Sequence, residues 1–127
     1  MAELNAKILI VYGDEAVRES LTTLMEREGF RILQANNGRM GLDVIRTTLP
    51  DLMLVEIKTS DVDGINLLRA AKGLNPNLLI IAITAYRDSY SAARALDAGA
   101  HAYLEKPLPI REVTRVVRQA LSKPKQG

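Results

Sequence analysis

The sequence predicts an α/β domain, a doubly wound five-stranded parallel sheet with five helices, and two observations carry that expectation. Short apolar runs of strand length alternate five times with stretches whose apolar residues recur at helical spacing. Three of those runs, Ile8 to Val11, Leu52 to Val55 and Leu78 to Ile83, are continuously apolar, as strands covered on both faces are. At 127 residues the chain is one domain of ordinary size, long enough to bury roughly two-thirds of the surface its unfolded form exposes.

Strands are expected near 7–12, 30–35, 52–57, 79–84 and 102–105. The first helix should bury Val17, Leu21, Leu24 and Met25, with Asp14 as N-cap and Gly29 as its stop. Helices should follow near Gly38, Gly64 and Asp88, the last of these offering mainly Ala92, Ala93 and Leu96 to the sheet. The fifth repeats the amphipathic pattern with Val113, Val116, Val117, Ala120 and Leu121. The second run contains Arg31 and Gln34, and the fifth contains His101 and Glu105, so both belong at sheet edges. With right-handed crossovers this gives the order 2-1-3-4-5, in which ligand sites lie beyond the carboxyl ends of strands 1 and 3.

Composition excludes several classes. There are no cysteines, so disulfides and thiolate metal sites are absent, which fits a reducing cytoplasm. No apolar stretch approaches the roughly 18 residues of a membrane span, and Met1 to Lys7 lacks the apolar core of a signal peptide. A formal charge of +2 is too small to argue for direct nucleic-acid binding. Positive charge gathers late, at Arg111, Arg115 and Arg118 and then at Lys123 and Lys125, either as a solvated helix face running into a tail or as a docking face for an acidic partner.

Glu56, Thr84 and Lys106 each stand at the carboxyl end of an apolar run, so one rim of the sheet gathers an acid, a hydroxyl and an amine. That trio equips a phosphoryl-accepting switch, yet the first run ends in Tyr12 and Gly13, where such a switch needs carboxylates for a metal. The stretches KILIVYGDEAVRESL, PDLMLVEIKTSDVDG, IIAITAY and AGAHAYLEKPL resemble the receiver domain of bacterial two-component response regulators, over nearly the whole chain. The resemblance implies a flavodoxin-like fold, a sensor histidine kinase or other signalling protein as partner, an effector domain in the full-length protein, and magnesium as the family's cofactor. It also implies roles residue by residue. Tyr12 and Gly13, with Asp14 following, take the positions of the magnesium-holding acids. Glu56 takes that of the phosphorylated aspartate, Thr84 and Tyr103 those of the switch pair, and Lys106 with Pro107 that of the phosphate-contacting Lys-Pro. After Glu56 the chain reads Thr59-Ser60 where the family often has Met-Pro, while Gly64 is retained.

The departures bear on chemistry. Each lost carboxylate forfeits up to about 4 kcal/mol of ion attraction near 4 Å at an effective dielectric of 20. The longer side chain of Glu56 shifts the attacking oxygen, and a misplacement of about an ångström costs on the order of a hundredfold in rate. The leading expectation is therefore an atypical receiver, a pseudo-receiver, signalling by protein contact, with no bound metal, no catalytic residue and no enzyme activity. Two alternatives stand beside it: a magnesium-dependent, self-dephosphorylating receiver using Glu56, and a constitutive dimerisation module. An ion pair from Glu56 to Lys106 would favour either an on-like or a resting state, and Tyr12 should fill the space of the metal with its hydroxyl reaching Glu56 or Lys106. The Lys106-Pro107 bond is a candidate for cis geometry, Gly13 is expected to ease the turn into the first helix, and His101 is given no chemistry. Tyr86, Tyr90, Tyr103 and the arginine row are candidate contact residues, with a homodimer pairing arginine against Asp97 of a second copy. Residues 1–121 are expected to form the domain and 122–127 a tail or linker.

Overall fold

The computed structural model describes residues 5–57, 62–85 and 87–122. The remaining positions, among them Thr59, Ser60, Tyr86, Lys123 and Lys125, lie outside the described residues. Five strands, β1 (Lys7–Val11), β2 (Arg31–Ala35), β3 (Leu52–Glu56), β4 (Leu79–Thr84) and β5 (Ala102–Glu105), alternate with five helices. The helices are α1 (Glu15–Arg27), α2 (Gly38–Thr48), α3 (Val62–Leu74), α4 (Ser89–Asp97) and α5 (Ile110–Ser122). All strand pairs are parallel, in the order β2-β1-β3-β4-β5, so the two polar runs are indeed the edges.

Side chains on a strand alternate between faces, and the sheet sorts them into two cores. Ile8 and Ile10, Leu52 and Leu54, Ile81 and Ile83, and Leu104 pack with Leu21 and Met25 of α1 and Val113 and Val117 of α5. Leu9 and Val11, Met53 and Val55, and Ile80 and Ala82 pack on the other face with Ile45 of α2, Leu68 of α3 and Ala95 of α4. This alternation decides which strand-end residues meet. Tyr12 continues the α1/α5 face and belongs to that core. Glu56 follows Leu54 by two residues and Lys106 follows Leu104 by two, so both continue the same face, whereas Thr84 follows Ala82 onto the other. Tyr103 pairs in register with Ala82 and therefore shares Thr84's face.

Local signals set the helix ends. Asp14 accepts the Val17 amide at 3.0 Å, Asn37 the Met40 amide at 2.9 Å and Asp88 the Ser91 amide at 3.0 Å, each satisfying a first-turn donor that the helix itself leaves open. Gly29 ends α1 at φ 97°, a conformation that favours glycine.

Two expectations about inward faces are corrected. In α1, Leu24 is only half-buried, and Thr22 turns inward with its hydroxyl donating to the Arg18 carbonyl at 2.8 Å, which lets a polar residue stand there. In α4 the buried stripe is Ser91, Ala92 and Ala95, continued by Ala98, while Ala93 and Leu96 are exposed. Small side chains at i, i+1, i+4 and i+7 let α4 lie close on the sheet, which turns Leu96 out.

Candidate functional site

β1 ends at Val11, and the chain leaves the strand through Tyr12, whose amide still donates to the Ala35 carbonyl at 3.1 Å. That bond fixes the Tyr12 ring over the rim, where it is 6% exposed. Glu56 closes β3, and the next amide, Ile57 N–H, donates to Ile83 O at 2.8 Å, holding the ends of β3 and β4 together. Lys106 follows β5, its amide donating to Thr84 O at 2.8 Å, and its bond to Pro107 is cis, as expected.

These constraints bring three side chains into one stack. The Lys106 ammonium donates to Glu56 Oε2 in a short ion pair and lies 5.5 Å from the centre of the Tyr12 ring, within the range of cation–π attraction. The pair is half-sheltered, with 36% of the Lys106 side chain and 12% of Glu56 exposed. Burial would lower the Lys106 pKa, but the hydrogen bond and charge of Glu56 outweigh it and raise it above the ordinary value. Burial, with help from the Glu56 charge, also raises the Tyr12 phenol, against the opposing effect of Lys106.

Thr84 stands apart. It is fully buried, and its hydroxyl has no hydrogen-bond partner among the described residues. Tyr103, on the same face, is 40% exposed. The face alternation of the sheet explains the split: ring, carboxylate and ammonium gather on the α1/α5 side, hydroxyl and second ring on the α4 side.

Asp14 spends its carboxylate on the α1 cap. Gly13 is not required by the backbone, because it has no left-handed φ and a Cβ there would meet only the Asn36 carbonyl oxygen, at 4.0 Å. The expectation that glycine eases this turn is therefore corrected. A cleft of about 330 Å³ opens between Tyr12, Gly13, Asn36 and Glu56 and is walled by Leu67. Among the described residues no group of three or more His, Cys, Asp or Glu side chains is placed to hold a metal ion. None of the described helices is long and apolar enough to cross a membrane.

The arginine row divides. Arg118 donates to the carboxylate and carbonyl of Glu28, at 2.6 and 3.2 Å, and stacks 5.3 Å from the Phe30 ring, so it fastens α5 to the end of α1. Arg115 pairs with Glu112 on its own helix, and Arg111 is exposed. Asp97 lies 3.9 Å from Arg69 of the same chain, and His101 is exposed. Sequence reading missed Arg18. Its guanidinium donates to Tyr12 O at 2.7 Å and to Gln34 at 2.9 Å, tying the β1–α1 turn to β2. Its one sequence signal is a long cation one turn after the Asp14 cap, too common to single out.

The fold is an α/β domain of the doubly wound class, and Tyr12, Glu56 and Lys106 gather at the carboxyl ends of its strands, where such folds bind ligands. The sequence pattern of the response regulator receiver domain matches residues 8–118, and the chain belongs to that family, the receiver domains of two-component systems. It is 33% identical over 118 residues to sporulation initiation phosphotransferase F of Bacillus subtilis, covering 93% of this chain and 95% of that protein. Response regulator MprA of Mycobacterium tuberculosis is 36% identical over 96% of this chain, which spans 53% of its length. A CheY-like receiver domain from Methanospirillum hungatei superposes with a TM-score of 0.84 at 33% identity, covering 91% of this chain and 93% of that one. A response regulator from Thermotoga maritima shares the fold with a TM-score of 0.87 at 22% identity, over 94% of this chain and all of that one. The chain thus spans nearly the whole of the first relative and about half of the second.

Proposed function

We propose that this receiver domain carries information by protein contact, in one fixed state, without phosphorylation of Glu56: a pseudo-receiver. The observation that carries this reading is the Glu56–Lys106 ion pair under the Tyr12 ring. Receivers typically use magnesium, an ion that is bound through carboxylates and waters in octahedral geometry. The residues present do not fit it: Tyr12 and Gly13 bring no carboxylate, Asp14 is engaged by the α1 cap, and Glu56 is engaged by Lys106. Glu56 also imitates only part of a phosphoryl group, which has up to two charges and three terminal oxygens. Its charge goes to Lys106, and among the described residues the Thr84 hydroxyl is left without a partner. That division favours a locked resting arrangement over an on-like one.

In this proposal residues 1–121 form a cytoplasmic signalling unit and 122–127 begin a tail or linker. The partner is a sensor kinase or another signalling protein, and an effector belongs to the full-length protein. The test is to incubate the chain with acetyl phosphate and magnesium and to weigh it. No gain in mass is expected, and a stable gain of one phosphoryl group on Glu56 would sink the proposal.

A further inference from the structure

A second cavity, a groove of about 420 Å³, runs between the first turns of α1 and the segment joining β5 to α5. It exists because Ala16 and Ser20, four residues apart on α1, are short and leave a trough where longer side chains would close the gap. Val17 and Leu21 form one wall, Leu108 and Ile110 the other, and Ile110 is 48% exposed although apolar. Tyr12 and Lys106 also line it, so an apolar slot meets two hydrogen-bond donors.

Charge narrows what fits. An ammonium carries three donors, of which Lys106 gives one to Glu56 and another to the Tyr12 hydroxyl oxygen, so that its third and the Tyr12 O–H remain for a ligand. The same carboxylate cancels the positive charge, and Asp14 and Glu15 stand exposed at the neighbouring start of α1. An anion therefore gains little here, whereas a neutral acceptor still finds a hydrogen bond. Because both Tyr12 and Lys106 are held in their protonated forms, each remains a donor through neutral pH. Cavities of roughly 300–1,000 Å³ with apolar walls and a few convergent polar groups are the usual form of a small-molecule site.

We propose that this groove binds a neutral, ring-containing small molecule bearing a carbonyl or similar acceptor, its ring between Val17, Leu21, Leu108 and Ile110 and its oxygen on Lys106 or the Tyr12 hydroxyl. The proposal goes beyond signalling by protein contact, and because its test reads ligand uptake rather than phosphorylation, either can fail alone.

The probe is 6-propionyl-2-(dimethylamino)naphthalene, a neutral fused-ring ketone whose emission shifts to the blue in apolar surroundings, titrated into the full 127-residue chain. Saturable uptake of one dye per chain is expected, with methyl NMR shifts centred on Val17, Leu21, Leu108 and Ile110. Ala16→Arg and Ile110→Arg, both at exposed positions, should each weaken uptake about tenfold or more by filling the slot or charging its rim. Tyr12→Phe should weaken it no more than about fivefold, the worth of one hydrogen bond. The anionic dye 8-anilinonaphthalene-1-sulfonate should bind more weakly than the ketone. Absent or unsaturable uptake, NMR shifts centred elsewhere, full binding by both arginine variants, or tighter binding of the sulfonate would each overturn the proposal. So would uptake seen only at concentrations where sedimentation detects dimers, which would make the groove a contact between copies.

Discussion

Removing one partner of the Glu56–Lys106 pair should cost far more on one side than on the other. Lys106→Met leaves a carboxylate with 12% of its side chain exposed and no counter-charge among the described residues, whereas Glu56→Gln leaves an ammonium that is 36% exposed and still has an amide oxygen to bond. Stranding a buried charge costs about 3–5 kcal/mol, while an exposed ion pair is worth about 0–1 kcal/mol. Scaled by exposure and discounted for solvent screening, Lys106→Met should cost about 2–3 kcal/mol and Glu56→Gln about 1 kcal/mol. The double variant strands no charge and should be more stable than Lys106→Met alone. The assay is a double-mutant cycle by urea unfolding, in which a loss of 2 kcal/mol moves the midpoint by about 1 M for a slope near 2 kcal/mol/M. Equal costs for the two single variants, or a double variant no better than Lys106→Met, would refute the argument from shelter.

The same stack predicts a pH dependence. The folded-state pKa values of Lys106 and Tyr12 are both raised, so each contributes stability that is fully present below its unfolded value, about 10 for both, and is lost as pH climbs through the folded value. Stability by urea unfolding should therefore fall above about pH 10, and fall less steeply in Tyr12→Phe. Gly13→Ala should be neutral or stabilise by up to about 1 kcal/mol, since neither φ nor neighbours oppose a Cβ. Gly99→Ala should destabilise by about 1–2 kcal/mol, because φ is +116° and the added carbon would stand 3.0 Å from Lys72. Thermal or urea melts of the two variants check this contrast. Arg118→Ala should cost about 1–2 kcal/mol through the lost Glu28 bonds and Phe30 stacking, and Arg115→Ala less than about 0.5 kcal/mol; similar melting losses would contradict the division of the arginine row.

Much of the rim was legible from the sequence. Apolar runs ending in Glu56, Thr84 and Lys106 had to share one edge once the sheet was parallel, and continuous against interrupted runs fixed which strands lay inside. Asp14 read as a cap for a local reason, since an acid just before the first amphipathic turn can reach the Val17 amide without tertiary help. The inward face of α4 was misread because alanines and one leucine give a weak periodic signal, and packing distance from the sheet then chooses the face.

Local interactions and hydrophobic periodicity, both properties of neighbouring residues, thus determined the element order, the strand order and the residues at the rim. Tertiary structure decided how those residues are divided: Glu56 and Lys106, fifty positions apart, joined under Tyr12, with Thr84 left on the opposite face. It also opened the groove beside Ala16 and Ser20 and spent Arg118 on Glu28. The physical reason is that such partnerships depend on strand register and helix placement, which are fixed only when the whole core packs and have no signature within any short stretch of chain.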